Sequence, residues 1–311
     1  MLQQFLQTQA WAKVRETQGQ RPVWLGNTLM LIKKLPYPLH NIGLINQADF
    51  SNCDWDLLQK TAQKEKLSHV YLEPANLKKD FQFSADIIKK YQLQPAKPVV
   101  LRHTVVMDLK KSEAILQEEM EKKSRYNANY ALKKGVQYTF SQDDQDFEIF
   151  LKLFFTAKAQ KYFFARSPQY YRTVWNILKQ NNNCMIVVAR YENEPLLAKF
   201  IFLFDKTIIF PYSGYSRNHL NLKATYGVNL EIIRWGQAHG YETIDMWGAK
   251  PEVSPDDQEY GFTKFKLSFA PQGLIEYADC YDMVISPFYY KLFKFSDKLR
   301  WILLKLKKRI A

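Results

Sequence analysis

The chain has 311 residues, of which 47% are hydrophobic and 24% charged, the composition of a globular protein with room for about two domains. Lys and Arg number 44 against 31 for Asp and Glu, and the net charge of +13 indicates a polyanionic partner: nucleic acid, an anionic membrane or a phosphorylated substrate. Only 11 residues are glycine, and no G-x-G-x-x-G or G-x-x-x-x-G-K-[ST] motif occurs, which argues against dinucleotide oxidoreductases and P-loop NTPases.

The first third of the chain alternates between helical and extended patterns. Helices are predicted at residues 5–14, 55–66 and 85–91, and strands at 23–32, 42–45 and 69–73. After Pro95 and Pro98, the β-branched run at 99–109 predicts a long strand. A charged helix is predicted over residues 112–134, where Gly135 supplies a C-terminal cap.

A second round of elements begins after Gly135. Strands are predicted at 136–140, 185–191, 196–204, 207–214 and 244–247, and helices at 147–162, 168–180 and 224–239. The order of two helices, three antiparallel strands, a helix and a strand is typical of the acetyltransferase-like (GNAT) fold, and the first round is a shorter version. We therefore predict an α/β (α+β) protein with two GNAT-like domains in tandem, residues 1–100 with 279–311 and residues 101–278.

Cysteine and histidine residues lack the spacing of metal ligands. Cys53, Cys184 and Cys280 are far apart, and the five histidines form no H-E-x-x-H motif. We expect no metal site and a reducing compartment. No apolar run of ~18 residues and no signal peptide is evident, so a cytoplasmic location is predicted, with peripheral contact to the inner face of the plasma membrane.

The most specific signals occur over residues 244–273, where a strand ends in aspartate and a glycine, an acidic loop and an aromatic–lysine pair follow. These residues are Asp245, Gly248, Asp256, Asp257, Phe265 and Lys266. Weaker motifs precede them at residues 11–15, 123–136, 157–171 and 212–214. In this order the motifs resemble the Fem family (FemABX) of peptidoglycan-bridge aminoacyl transferases, in a short form without the coiled-coil insertion.

The resemblance implies transfer of an amino acid from aminoacyl-tRNA to the stem-peptide amine of a peptidoglycan precursor, either lipid-linked (lipid II) or nucleotide-linked (UDP-MurNAc-pentapeptide). The reaction is the aminolysis of an ester, so it needs a cation at the developing oxyanion more than a nucleophilic side chain. The resemblance assigns that role to Lys266, with Phe265 shaping the site for the end of the tRNA. It implies no cofactor besides the tRNA-borne donor.

The resemblance also implies residues that bind the precursor. Arg15 and Arg166 correspond to residues that meet its phosphate groups, although lysine is commoner in the family at the Arg15 position. Tyr170 and Tyr212 correspond to substrate contacts. Glu73 ends a predicted strand where some members have aspartate, and its carboxylate would orient the attacking amine or accept its proton.

Two other functions are compatible with the sequence. One is a GNAT-fold N-acyltransferase that uses acyl-CoA, but residues 216–227 lack the glycines of the usual [RQ]-x-x-G-x-[GA] pyrophosphate loop. The other is a non-catalytic module that binds tRNA or a membrane, in which the Phe265-Lys266 pair would be accidental. A position of Lys266 in a cleft beside Tyr212 would favour the enzyme.

Residues 287–311 form a basic amphipathic segment with eight Lys or Arg residues and one acid, Asp297. A helix of this kind can lie in an anionic membrane interface. We expect its first half to pack on the first domain and residues 301–309 to bind lipid.

Overall fold

The computed structural model describes residues 5–161, 165–251, 254 and 260–310, and the side chains of the same residues except 160, 161, 301 and 303–310. Contacts divide the chain into two compact units. Unit 1 consists of residues 3–99 and 277–311, and unit 2 of residues 100–276. The acidic pair Asp256-Asp257 lies outside the described residues.

Unit 1 is a six-stranded mixed sheet with helices from both ends of the chain. Its helices are α1 (Gln9–Glu16), α2 (Trp55–Lys64), α3 (Ala85–Lys90) and α10 (Pro287–Ile310). Its strands are β1 (Gln20–Leu25), β2 (Thr28–Lys33), β3 (Ile42–Ala48), β4 (His69–Pro74), β5 (Leu93–Pro95) and β13 (Tyr281–Val284). The strand order is β1-β2-β3-β4-β13-β5, with only β3 and β4 parallel among the described pairs.

Local sequence explains the turns and helix starts of unit 1. The hairpin between β1 and β2 turns at Gly26, whose φ of +58° is readily reached by glycine. The parallel pair of β3 and β4 needs a crossover, which α2 provides. Asp54 begins α2 because its side chain accepts a hydrogen bond from the backbone N–H of Leu57. The sheet core includes buried Ile45, Leu58 and Leu72.

Unit 2 is a seven-stranded sheet with the order β12-β6-β11-β10-β9-β8-β7. Its strands are β6 (His103–Asp108), β7 (Gln137–Ser141), β8 (Cys184–Tyr191), β9 (Glu194–Phe204), β10 (Thr207–Tyr215), β11 (Thr243–Asp245) and β12 (Leu274–Glu276). Its helices are α4 (Glu113–Glu119), α5 (Lys122–Lys133), α6 (Asp144–Lys161), α7 (Pro168–Lys179), α8 (Ala224–Ala238) and α9 (Tyr260–Leu267).

The pairing of the parallel strands β10 and β11 ends in the middle of the unit 2 sheet, while β10 continues to Tyr215. They pair only from Thr207 to Ile209, against Thr243 to Asp245, and the register of β10 with β9 shifts immediately afterwards. A bulge of this kind bends a strand away from its neighbour. The loop that follows β11 therefore begins where the pairing of β11 with β10 ends.

Helices cover both faces of the unit 2 sheet. One face packs against α6 and α7 through an aromatic cluster that includes Phe147, Trp175 and Phe200. Gly214 permits the close approach of α6, because a Cβ atom there would collide with the backbone of Phe154. The opposite face packs against α8, whose buried side chains include Val228.

Three predicted elements differ from the structure, one by being shorter and two by being divided. The strand predicted at residues 99–109 begins only at His103, and Val99 is 70% exposed. The strand predicted at 23–32 is the β1–β2 hairpin. The helix predicted at 112–134 is broken between α4 and α5, where Met120 is buried and extended and the Glu121 N–H donates to the carbonyl of Ser268. Tertiary contacts thus override helix propensity at the break.

Three short strands, β5, β12 and β13, were not predicted. The strand β13 is inserted between β4 and β5, so the segment that follows residue 277 completes the sheet of unit 1. Among the described residues, no helix is both long and apolar enough to cross a membrane.

Candidate active site

The helix α9 places Lys266 against the loop that follows β11. The half-buried Lys266 donates from Nζ to the carbonyl oxygens of Trp247 and Gly248, the latter at 2.7 Å. Its Nζ also lies 4.8 Å from the ring centroid of Phe262. An ammonium group has three N–H donors, so the two carbonyls leave one for another acceptor.

Buried Asp245 provides the negative charge nearest in sequence to this loop. Its side chain accepts hydrogen bonds from the Thr104 hydroxyl and, at 2.7 Å, from the Trp247 N–H. Burial raises the pKa of Asp245, which these hydrogen bonds and the charge of Lys266 oppose. Burial lowers the pKa of Lys266 to about 8, and the charge of Asp245 opposes that change. Lys266 is therefore mostly protonated at neutral pH.

The same contacts give Lys266 a structural task. Trp247 has a φ of +60°, a left-handed conformation that is unfavourable for a side chain of this size. The bonds from Lys266 to the carbonyls of residues 247 and 248 help to hold this turn. Adjacent Phe265 packs against the rings of Tyr226 and Phe269, at centroid distances of 5.1 Å and 5.3 Å, on the margin of the unit 2 core.

The structure brings together three predicted substrate residues, Arg166, Tyr170 and Tyr212. The exposed Arg166 guanidinium lies 5.1 Å from the Tyr170 ring centroid, and its backbone N–H donates to the Tyr171 hydroxyl at 3.3 Å. Tyr212 packs edge-on against Tyr171 at 5.1 Å and is hydrogen-bonded to Tyr170. Burial raises the pKa of Tyr212 well above its ordinary value, so its hydroxyl stays protonated.

Tyr212 is not on the sheet face that packs against α8. It pairs with Phe200, whereas the next residue, Ser213, pairs with Lys199. Because successive side chains of a strand point to opposite faces, Tyr212 shares the α6 and α7 face with Phe200, and Lys199 lies on the other face. The positive charge of Lys266 lowers the pKa of Lys199. The described contacts therefore do not place Lys266 in a cleft beside Tyr212, the position that would have favoured an enzyme over a non-catalytic module.

Two predicted residues lie in unit 1. Glu73 is 5% exposed and accepts a 2.8 Å hydrogen bond from Asn46 Nδ2. Burial raises its pKa to about 7, against the effect of hydrogen bonds from Asn46 and Tyr71. Half-buried Arg15, near the end of α1, donates to Gln20 Oε1 at 3.1 Å and lies 5.8 Å from the Trp11 ring centroid.

Sequence reasoning missed a second lysine, Lys199, and its partner Asn229. Lys199 is 6% exposed and donates to Asn229 Oδ1 at 2.5 Å. The signal that could have found it is a single charge in the otherwise apolar run of β9, since lysine is seldom buried without a partner.

The loop between β10 and α8 corresponds to the loop that holds the pyrophosphate of CoA in other GNAT-fold proteins. Aligned on Arg217, the [RQ]-x-x-G-x-[GA] pattern puts leucine at both small-residue positions, Leu220 and Leu222. Leu220 is 55% exposed, whereas Leu222 is buried in the core. His219 and Lys223 adopt left-handed backbone conformations without glycine. The leucine side chains, however, do not fit a close backbone approach to a pyrophosphate.

Comparison with known proteins identifies the fold. A family model described as an acetyltransferase (GNAT) domain matches residues 119–260. The crystal structure of FemX is 16% identical, covers 93% of this chain and 94% of its own, and superposes with a TM-score of 0.83. The fold is the GNAT fold. The predicted α/β class with two GNAT-like units in tandem is thus confirmed.

Two further solved structures share this fold. The C-terminal domain (DUF2156) of a putative lysylphosphatidylglycerol synthetase from Agrobacterium fabrum is 12% identical, with 93% of this chain and 92% of that one covered and a TM-score of 0.59. L-PGS from Bacillus licheniformis is 14% identical, with 85% and 83% covered and a TM-score of 0.53. A comparison with proteins of curated function gave no match.

Proposed function

We propose that this GNAT-fold protein is an aminoacyltransferase of the Fem type. It would move an amino acid from aminoacyl-tRNA to the stem-peptide amine of a peptidoglycan precursor, lipid II or UDP-MurNAc-pentapeptide. The observation that carries the proposal is the likeness to FemX over nearly the whole chain, joined to the Fem-like motifs. Lys266, the lysine of those motifs, has a protonated amine with one donor to spare.

In the proposed reaction, the amine nitrogen bonds to the ester carbonyl carbon, and the bond from that carbon to the ribose oxygen breaks. The amine loses a proton and the ribose oxygen gains one. Lys266 would donate its remaining N–H to the oxygen that becomes negatively charged, an interaction that is strongest in the transition state. Phe265 would shape the site for the tRNA end. The resemblance alone assigns Glu73 of unit 1 to orienting the amine or accepting its proton.

The precursor would be held by arginine and tyrosine side chains. Arg166 is exposed and is positioned by Tyr170, so its fork of N–H donors is available for a phosphate. Tyr212 supports Tyr170 from the sheet. Arg15 is assigned to the same task by its motif alone, and its geometry is fixed by Gln20.

The helix α10 is proposed to contact an anionic membrane. Its inner face packs through Tyr289 on His40, at a centroid distance of 3.4 Å, and through Tyr290, which donates to Asp282 at 2.9 Å. Its outer face carries an apolar stripe flanked by exposed lysines and arginine. The stripe consists of Phe288, Phe295, Leu299 and Ile302, each 46–70% exposed. Apolar side chains with basic neighbours are complementary to an anionic lipid surface. This contact would place the protein at the inner face of the plasma membrane, beside a lipid-linked acceptor.

Three alternative functions are distinct candidates. The matched acetyltransferase model favours an acyl-CoA-dependent N-acyltransferase, and Leu220 and Leu222 argue against it. The likeness to the C-terminal domain of a putative lysylphosphatidylglycerol synthetase favours phosphatidylglycerol as a different acceptor. A non-catalytic module that binds tRNA or membrane would show no transfer to any acceptor.

The test is incubation of the purified protein with bulk aminoacylated tRNA and each of three acceptors: lipid II, UDP-MurNAc-pentapeptide and phosphatidylglycerol. Mass spectrometry should detect one added amino acid on a peptidoglycan precursor. Ribonuclease should abolish the transfer, and added salt should weaken it steeply because tRNA binding releases counterions. Transfer that survives ribonuclease and requires acetyl-CoA, or that occurs only on phosphatidylglycerol, would overturn the proposal.

A further inference from the structure

The helix α5 has one face that packs on the rest of unit 2 and one face that meets solvent. The packed face consists of the buried residues Ser124, Asn127, Ala128 and Ala131. Ser124 Oγ donates to Ser268 Oγ at 2.7 Å, and a Cβ atom added to Gly227 of α8 would lie only 2.8 Å from the Cβ of Ala131. These close contacts fix the rotation of α5 about its axis, and therefore fix which side chains face outward.

The outward face of α5 is basic and aromatic. At 3.6 residues per turn, lysine and tyrosine side chains alone occupy an arc of about 120° that excludes the buried residues. They are Lys122, Lys123, Tyr126, Tyr130 and Lys133 of the helix, with Lys134 at its C-cap. All four lysines are exposed, and Tyr126 is 66% exposed. No aliphatic or acidic side chain lies within this arc.

The charges of this face are not compensated by neighbouring carboxylates. None of its four lysines forms a salt bridge with a side chain in the part of the chain that the structure describes, whereas Lys111 just before α4 pairs with Glu119. The acid next to these lysines in sequence, Glu121, lies at the N-cap of α5, where a negative charge is favoured by the helix dipole. The outward face is therefore a positive surface that is complementary to a polyanion.

The two tyrosines of this face form a stack among the lysines. Tyr126 and Tyr130 lie about one helical turn apart, with ring centroids separated by 5.9 Å and an angle of 27° between the ring planes. Lys134 Nζ lies 5.4 Å from the ring centroid of Tyr130. Tyr126 is therefore supported from the side of Tyr130, and most of its ring remains open to solvent, where another planar group can stack on it.

This combination of side chains fits a nucleic acid strand better than a lipid surface. Proteins that bind single strands place basic side chains along the phosphate backbone and exposed aromatic rings against the bases. A helix that lies in a membrane interface instead buries a continuous apolar face among the lipid chains. The outward arc of α5 has no such face, in contrast to the exposed apolar stripe of α10.

The position of α5 relates this face to the candidate active site of unit 2. The Glu121 N–H at the start of α5 donates to the carbonyl of Ser268 at 2.9 Å, and Ser268 follows Lys266 by two residues. The beginning of α5 therefore adjoins the end of α9 that carries Lys266. A strand bound along α5 would have one end near Lys266.

We propose that the outward face of α5 binds RNA: its lysines contact phosphate groups, and Tyr126 stacks on an unpaired base near the end that carries the amino acid. The identification of this RNA as aminoacyl-tRNA rests on the proposed function. Phosphate contacts and stacking are largely independent of base sequence. We therefore expect this face to hold and orient tRNA without selecting one tRNA from another.

The phosphate contacts are tested by the salt dependence of RNA binding. Fluorescence anisotropy measures the affinity of the full-length protein for deacylated bulk tRNA over a range of salt concentrations. The double variant Lys122→Gln/Lys133→Gln should bind more weakly, and the slope of log affinity against log salt should fall by about 1.4–1.8, at 0.7–0.9 per lost phosphate contact. Lys60→Gln/Lys64→Gln removes the same charge from two exposed lysines of α2 and should leave the slope unchanged.

The stacking contact is tested with tRNA that has been trimmed of its unpaired 3′ end. Tyr126→Ala should weaken the binding of intact tRNA about 10-fold, because one base loses its stacking partner. It should bind the trimmed tRNA as the wild type does. Tyr126→Phe should retain wild-type affinity for both, since stacking requires the ring and not the hydroxyl. Tyr37→Ala, at a 97% exposed site in unit 1, is the control and should have no effect.

Several results would overturn the proposal. One is a wild-type affinity and salt slope in the folded lysine variant; if the double variant does not fold, each single variant tests the same prediction at half the change in slope. Another is an equal effect of Tyr126→Ala on intact and trimmed tRNA. A third is loss of binding to phosphatidylglycerol vesicles with unchanged binding to tRNA, which would make this face a membrane contact.

The binding measurement also separates this proposal from the proposed function. RNA binding that depends on α5, in a protein that transfers no amino acid to any acceptor, would refute the proposed function and leave the RNA-binding face intact. Transfer at the wild-type rate by the α5 variants, measured at subsaturating aminoacyl-tRNA, would refute the RNA-binding face and leave the proposed function intact.

Discussion

The contacts of Lys266 make its substitution a test of chemistry as well as of local structure. Lys266→Met should slow the chemical step roughly 10²–10³-fold, as the loss of one oxyanion donor does. The KM for the precursor should change little, because the donor acts mainly in the transition state. Single-turnover kinetics under saturating tRNA would measure both effects.

Lys264→Met is the matched control for this variant. Lys264 is exposed on the same helix, and its Nζ lies over the ring of Tyr260 at 4.7 Å. The Lys264→Met variant should have the same turnover rate as the wild type. Thermal unfolding of both variants separates a loosened turn at Trp247 from a lost donor. Wild-type turnover by Lys266→Met would remove Lys266 from the mechanism.

Arg166 permits a separate test of acceptor binding. Arg166→Ala should raise the KM for the precursor, because a charge-assisted pair to phosphate is lost. The corresponding loss of binding free energy should be no more than a few kcal/mol. Arg166→Lys should restore binding only in part, since a point charge replaces a planar fork. Arg172, which pairs with Glu148 on the surface, supplies the control Arg172→Ala. Equal precursor affinity in Arg166→Ala and the wild type would contradict the assignment.

Glu73 should make the stability of the protein depend on pH. Its pKa is raised from 4.5 to about 7 on folding, so the folded state binds more protons between these values. The free energy of unfolding therefore falls as pH rises from about 4.5 through 7. Glu73→Gln should remove this dependence, leaving the variant more stable than the wild type at pH 8, by up to ~3 kcal/mol at ~1.4 kcal/mol per pH unit.

The comparison for Glu73 must be made between variants, because His69 acts in the opposite direction. Burial lowers the pKa of His69 from 6.5 to about 4, so its protonation in the unfolded state destabilises the fold as pH falls through this range. Urea unfolding of the wild type, Glu73→Gln and the exposed control Glu16→Gln at pH 5 and pH 8 isolates the Glu73 effect. A difference between wild type and Glu73→Gln that is the same at both pH values would show that Glu73 does not titrate in this interval.

At the scale of elements, α10 combines packing and exposed apolar surface in one helix. Truncation after Lys298 removes Leu299, Ile302 and the basic segment 305–309, but keeps the contacts of Tyr289 and Tyr290. We expect the truncated protein to fold and to lose binding to anionic liposomes, because each basic residue near such a surface contributes about 1 kcal/mol. Sedimentation with anionic and neutral vesicles measures this.

A point variant gives the same test without shortening the chain. Ile302→Glu places a charge on the exposed stripe and should weaken liposome binding, whereas Leu57→Glu, at a 42% exposed site on α2, should not. Unchanged sedimentation of the truncated protein, or its unfolding, would mean that the outer end of α10 is a structural element.

Whether a helix or strand could be predicted from the sequence depended on its length and on its own apolar pattern. Long periodic segments such as α2, α7 and β9 were predicted from sequence because their own apolar pattern decides them. The three-residue strands β5 and β12 and the four-residue β13 have no such pattern, since they exist by pairing with longer strands. The break at Met120 and Glu121 depends on Ser268, which lies far away in sequence.

The same distinction applies to the candidate site. Lys266 and Arg166 could be named because short motifs surround them. The buried pair Lys199 and Asn229 could not, because the sequence does not show which face of β9 meets α8. The position of Tyr212 on the α6 and α7 face likewise depends on the register of β9 with β10.

At the scale of the whole molecule, the chain leaves unit 1 at residue 99 and returns to it at residue 277. We propose that the two predicted domains, residues 1–100 with 279–311 and residues 101–278, fold independently of each other. Because β4 and β5 both pair with β13, removing residues 277–311 would leave two strand edges of unit 1 without a partner.

This return of the chain has a consequence for biosynthesis. During translation, β4 is made 207 residues and β5 186 residues before β13, which pairs with both. Residues 100–276 are continuous in sequence, so we expect unit 2 to fold as it is synthesised, whereas the sheet of unit 1 cannot be completed before β13 is made. We expect wrong strand pairing of the nascent chain to be most frequent in this interval, because the edges of β4 and β5 that pair with β13 are then open.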